Sequence, residues 1–255
     1  MFYSLLIIAI IIGLILGSFW HCLAWRLHFN QSLKGRSFCP HCHNLIHWYD
    51  NIPVFSWLFL GGKCRHCQAR IDISHFLFEL ASGLLFGLGF IYLWQQAASE
   101  LTFVIYFLAI SLWLLVFLSD YLWLEVYLPP LFIGGAMILI SQLLLGVSVW
   151  SLLLTLLIGV LFFGLQFVIT KGRGIGSGDI YLGGLMGLIF TDWKLLLAAL
   201  FLSYVFGAIV GLFLISRSQK NLKLKVPLGV FLSLGSILTL FVGKALLAWY
   251  LGLLF

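Results

Sequence analysis

Acidic side chains are scarce in this chain, which holds eight Asp and Glu residues in 255 beside fourteen Lys and Arg. Only 9% of its residues are charged, against roughly 25% in an ordinary globular domain. That shortage excludes a chain of one or two soluble domains. Cysteine is as rare outside one stretch: residues 39–67 hold four of the five cysteines, and Cys22 is the fifth. Residues 2–20 lack charge altogether. No basic residue precedes that run and no small-residue cleavage pattern follows it, so it reads as a retained span and not a removable signal peptide.

Apolar length is what the chain has in abundance, with 63% hydrophobic residues. After 2–20, further runs cover 76–94, 101–118, 126–145 and 147–169, then a short one from about 180, then 195–215 and 226–255. Hydrocarbon leaves an open sheet edge unsatisfied, so these runs predict helices. The expected fold is all-α, a polytopic membrane bundle of about eight transmembrane helices.

Twelve of the fourteen Lys and Arg residues fall within 21–75, 170–179 and 216–225, Lys194 and Lys244 being the exceptions. By the positive-inside rule these three connectors face the cytosol. The reading is a multi-pass inner-membrane protein with its N-terminus outside. The net charge of +6 is then a matter of topology. The lipid bilayer is the partner it implies, and no nucleic acid is required.

The first connector carries "CPHC" at 39–42 and "CRHC" at 64–67. In the cytosol thiols stay reduced, and two C-x-x-C pairs suit a tetrahedral zinc site with Cys39, Cys42, Cys64 and Cys67 as ligands. Four protein ligands leave no open position, which makes the expected Zn2+ structural. A disulfide pair or four idle thiols are the plainer alternatives. His41, His43, His47 and His66 lie nearby as possible substitutes, and Cys22 reads as a small apolar filler.

Each acidic residue can be weighed singly. Asp50, Asp72, Glu100 and Asp192 sit in polar connectors, and Glu79 lies one turn into the second helix. Asp120 and Glu125 bracket the inner end of the third helix, and Asp179 closes "KGRGIGSGD". Ionisable groups at such depths are costly and suggest function. The topology puts Asp120 and Asp179 at one cytoplasmic level. Two adjacent carboxylates cannot both ionise cheaply, so they would share a proton, which is the acid and base of aspartic-protease chemistry. Alone, Asp179 would also serve as a helix cap, and Asp120 would merely mark the interface. A proton-coupled transporter would call for inverted repeats and broken helices, and neither is visible. A zinc-bearing scaffold would need the cysteines and neither aspartate.

An ordered set of segments turns these possibilities toward one. "GSGD" at 176–179 matches the Gly-x-Gly-Asp signature of intramembrane aspartic proteases. "GSFWHCLAWRL" (17–27), "CPHC", "NIPVFSWLFLGGKCRHC" (51–67), "FELASGLLF" (78–86) and "GIGSGDIYLGGLMG" (174–187) follow in the order found in bacterial type IV prepilin peptidases. The chain resembles that family over most of its length. The resemblance implies an endopeptidase that removes the short basic leader of a prepilin or pseudopilin substrate, cutting after glycine. Many members then methylate the new N-terminus with S-adenosylmethionine; peptidase activity without methylation is the alternative. It also implies Asp120 and Asp179 as the catalytic pair and the four loop cysteines as metal ligands. The implied organisation is a first span (1–20), a cytoplasmic zinc loop linked with methyl transfer (21–75) and a membrane peptidase domain (76–255). Two departures stand out. His21 replaces the usual asparagine, and "YLWLEVYLPP" (121–130) lacks the usual Leu-Pro-Asp run after the first aspartate.

Overall fold

The computed structural model describes residues 1–217 and 227–253. The basic residues Lys220, Lys223 and Lys225, counted above toward the cytosolic face, lie outside the described residues. Every apolar run forms a helix, and the chain divides into two compact units, Met1–Ala98 and Ser99–Phe255.

In the first unit, α1 (Phe2–His28) packs on α3 (Ile73–Gln95). Contacts at Ile10 with Gly87, Leu14 with Gly83 and Gly17 with Glu79 run in opposite directions along the two helices, which makes the pair antiparallel. The Ser82 hydroxyl donates to the Gly13 carbonyl at 2.6 Å, a hydrogen bond from helix to helix. In lipid such small-residue seams and polar links replace the hydrophobic drive that water supplies. Asp72 caps α3 by accepting the Ser74 N–H at 2.7 Å. Between the helices, residues 29–72 hold a 3-10 turn at Trp48–Asn51 and the short helix α2 (Phe55–Phe59). Arg26 at the end of α1 gathers this loop by donating to the carbonyls of Ser32, Gly35 and Arg36.

The second unit comprises α4 (Glu100–Trp123), α5 (Leu128–Leu144), α6 (Val149–Ile169), α7 (Ser177–Ile189), α8 (Trp193–Arg217) and α9 (Leu228–Gly252). Its core runs along α4, where Ile110, Trp113 and Leu115 are fully buried. α6 and α7 touch backbone to backbone: a Cβ on Gly159 would stand 2.0 Å from the Gly183 carbonyl oxygen. Only glycine permits that approach. The buried hydroxyls of Ser203, Ser233 and Thr239 in this unit donate to carbonyls four residues back on their own helices, whereas buried Ser236 has no hydrogen-bond partner among the described residues. Outward stripes such as Leu154, Leu157, Leu161 and Leu165 on α6 are exposed and wholly apolar, the inverse of a soluble helix and what lipid contact requires.

Among the described residues, six helices are long and apolar enough to cross a membrane: α1, α3, α4, α6, α8 and α9. α5, with 17 residues, and α7, with 13, are shorter, so the expected count of about eight spans is met in helices and not in helices of full span length. α1 also continues eight residues past the expected end at Trp20, to His28.

Candidate active site and metal centre

Asp120 lies in the last turn of α4, which ends at Leu124 in the left-handed conformation (φ 56°). The carboxylate is 7% exposed and its Oδ2 accepts the Val230 N–H at 3.1 Å. Val230 belongs to the first turn of α9, where backbone N–H groups have no partner within the helix. The positive end of the α9 dipole therefore faces Asp120. Gly229 makes room for it, since a Cβ there would stand 2.9 Å from Asp120 Oδ2.

Asp179 lies in the first turn of α7 and is 9% exposed. Its Oδ2 accepts the Gly176 N–H at 3.0 Å, so the capping role foreseen for it is real. One oxygen suffices for that cap. The Asp120 carboxylate is near enough to act on Asp179 electrostatically. Two acids 59 positions apart in the chain thus come within electrostatic reach of each other. Around them stand groups that the motifs did not flag. Tyr204 of α8 also feels the Asp179 charge and donates to Gln166 Oε1 at 2.9 Å. Gln166, a polar residue inside an apolar run, was the available sign. Val126, from the altered segment, packs beside Gly178. Glu125 is engaged elsewhere, accepting the Tyr127 hydroxyl at 2.8 Å.

The loop cysteines converge. Their four sulfurs lie within 4.8 Å of one another, and Cys39 Sγ is 3.8 Å from Cys67 Sγ. Zinc–sulfur bonds of about 2.3 Å in a tetrahedron give sulfur–sulfur edges of about 3.8 Å, so the cluster is of a size that takes one zinc ion. The two knuckles are built alike. Cys39 N–H donates to the Asn44 carbonyl and His43 N–H to the Cys39 carbonyl; Cys64 N–H donates to Ala69 and Gln68 N–H to Cys64. His43 and Gln68, at equivalent positions, share a φ of 57°. The Cys67 backbone N–H lowers the Cys64 thiol to about 7. Against the Ala69 backbone N–H, burial and the neighbouring cysteines push Cys67 up to about 11, so the cluster favours one thiolate at Cys64 and holds Cys67 protonated. None of the four loop histidines joins the sulfur cluster. Arg65, inside the second knuckle, holds Asp50 through Nε at 3.1 and 2.8 Å, and this tethers the knuckle to the 3-10 turn.

Glu79 and His21 occupy the α1/α3 seam. Glu79 Oε2 accepts the Val54 N–H at 2.7 Å. The His21 ring, 4% exposed, lies against His75 with centroids 3.5 Å apart and the planes tilted by 32°.

Residues 11–93 match the family described as the bacterial peptidase A24 N-terminal domain. Among curated proteins, the chain is 30% identical over 249 residues to a prepilin leader peptidase/N-methyltransferase of Bacillus subtilis (strain 168), covering 97% of this chain and 98% of the relative. A protein of the same name from Myxococcus xanthus (strain DK1622) is 29% identical over 218 residues, 80% of this chain and 62% of that one. A third, from Vibrio cholerae serotype O1, is 46% identical over 88 residues, 31% of this chain and 35% of the relative. The chain thus spans less than two thirds of the Myxococcus and Vibrio relatives. No solved structure matches it.

Proposed function

This chain belongs to the prepilin leader peptidase/N-methyltransferase family, and we propose that it is a membrane aspartic endopeptidase with Asp120 and Asp179 as its catalytic pair. Its substrate is a type IV prepilin or pseudopilin, whose short basic leader it removes by cutting after glycine. What supports this reading is that two largely buried carboxylates, from α4 and α7, lie within electrostatic reach of each other, each steadied by one backbone N–H through Oδ2.

The chemistry follows from that pairing. Close carboxylates share one proton. The ionised member takes a proton from a water, whose oxygen attacks the scissile carbonyl carbon; the protonated member donates to the carbonyl oxygen. When the carbon–nitrogen bond breaks, the departing amine takes up the proton of the pair while a hydroxyl of the tetrahedral intermediate returns one to it as the new carboxyl group forms, so the pair is left with one proton as before. The α9 N-terminus favours negative charge on Asp120.

The unit Ser99–Phe255 carries the peptidase. The unit Met1–Ala98, with zinc held structurally by Cys39, Cys42, Cys64 and Cys67, carries N-methylation of the new N-terminal residue. S-adenosylmethionine, when bound, supplies an electrophilic methyl group for that step. The chain lies in the bacterial inner membrane with its N-terminus outside and both aspartates open to the cytosol, the side on which the basic residues of 21–75 and 170–179 collect.

Co-expression with a prepilin, followed by mass spectrometry of the mature N-terminus, tests both activities. A product beginning after the leader glycine and bearing one added methyl is expected. An uncut prepilin overturns the peptidase reading, and a cut but unmethylated product reduces the function to peptidase alone.

A further inference from the structure

A cavity of about 370 Å³ opens within the unit Met1–Ala98, between α1, α3 and the cysteine loop. It is of the size that holds small molecules. Trp25 of α1 and Trp57 of α2 line it with indole rings, and Glu79 lines it from α3. Cys22 and Ser18 line it from α1, and the Ser18 hydroxyl is a second hydrogen-bond partner of Glu79.

Glu79 is the unusual member. It is 9% exposed, and among the described residues no Lys or Arg pairs with it. Arg65 and Arg70 also line the cavity, Arg65 held there by Asp50, while Arg26 binds three carbonyls and Arg36 the Ile46 carbonyl. The one backbone donor Glu79 receives comes from a strained residue. Val54 has φ 66° and ψ −53°, in a three-residue turn closed by Phe55 N–H to the Pro53 carbonyl at 2.7 Å. A β-branched residue resists that conformation, and such strain concentrates at functional sites. The carboxylate–amide bond at 2.7 Å holds the turn against the cavity. A buried carboxylate with no ion pair among the described residues, in a cavity that two indoles also line, is chemistry that selects a cation bearing a flat ring.

We propose that this cavity binds the methyl donor, a sulfonium cation carrying an adenosyl group, with Glu79 supplying the negative charge and Trp25 and Trp57 the flat apolar walls. The proposal rests on the methyltransferase half of the function above and gives it a location. It has a consequence that a merely structural Glu79 lacks. The donor loses its positive charge when its methyl leaves, so Glu79 favours donor over demethylated product.

The test uses the full chain in detergent and two probes, S-adenosylmethionine and neutral S-adenosylhomocysteine, read by calorimetry and by ultraviolet cross-linking of radiolabelled donor. Wild type is expected to bind the cation about tenfold more tightly than the neutral product, and Glu79→Gln to bring that ratio near one. Equal weakening of both probes by Glu79→Gln overturns the charge-reading role. Cross-linking on wild type needs no variant to fold, and label is expected on peptides holding Trp25 or Trp57. Label confined to 99–255, with methylation of prepilin intact, overturns the cavity and leaves the methyltransferase reading standing. A wild-type chain that cuts prepilin yet binds neither probe overturns both.

Discussion

The Asp120 carboxylate accepts the backbone N–H of Val230 at 3.1 Å, across 110 residues of sequence. That bond joins the last turn of α4 to the first turn of α9, and it makes the start of the last helix part of the surroundings of the first aspartate. Pairing an acid with a helix N-terminus orients the carboxylate and biases its charge at once.

Asp120→Asn and Asp179→Asn are each expected to lower prepilin cleavage by about 10²–10⁴-fold. The amide oxygen of Asn still accepts the N–H of Val230 or Gly176, so the protein should remain folded. Cleavage assays run beside thermal unfolding of purified protein check this. Normal processing by either variant would remove that residue from the pair.

Gly229→Val tests the same junction from the other side. A Cβ at 229 would stand 2.9 Å from Asp120 Oδ2 and push the carboxylate aside. A displacement of that order costs about 10²-fold in rate. The expected result is a fall in kcat on prepilin with the chain still inserted in membranes, measured by steady-state kinetics and membrane fractionation.

Removing the metal should act on the loop and spare the helices. The sulfur set fits about one zinc ion per chain, to be counted by a colorimetric chelator after thiol modification. Zinc loss or Cys39→Ser should expose Lys63, Arg65 and Arg70 to trypsin while helix content by circular dichroism holds, because a loop this small depends on its ion for order. A loop that stays resistant after complete zinc removal would contradict the structural role.

Asp72→Ala removes the cap of α3 and is expected to cost about 1 kcal/mol at neutral pH. The Ser74 N–H holds the Asp72 carboxyl below the usual carboxylate range. A depressed pKa adds stability above the ordinary value, and that stability fades as pH falls through the depressed one. Denaturation in detergent should therefore separate wild type and variant at pH 7 and bring them together in strong acid.

Much of this was legible in order along the chain. The eight apolar runs became helices because a backbone in hydrocarbon has few other ways to satisfy itself, and the paired cysteines met because C-x-x-C spacing already puts two sulfurs on one turn. Helix ends were less legible. α1 runs on to His28 because nothing after Trp20 breaks a helix, and Arg26 is satisfied by loop carbonyls that sequence does not pair with it. The capping role of Asp179 was foreseen from its residue type, while its neighbours Tyr204 and Gln166 were not.

Composition and local order by themselves determined that the chain is helical, membrane-embedded and furnished with a four-sulfur cluster, since those properties depend on transfer free energies and short spacings that each segment carries alone. Only the tertiary structure decided which carboxylate meets which helix end, that Gly159 and Gly183 lie backbone to backbone, and that Glu79 lines one cavity with Trp25 and Trp57. Those facts depend on how helices far apart in the chain pack, and in lipid that packing is chosen by close fit and a few polar contacts, with no hydrophobic periodicity to announce it.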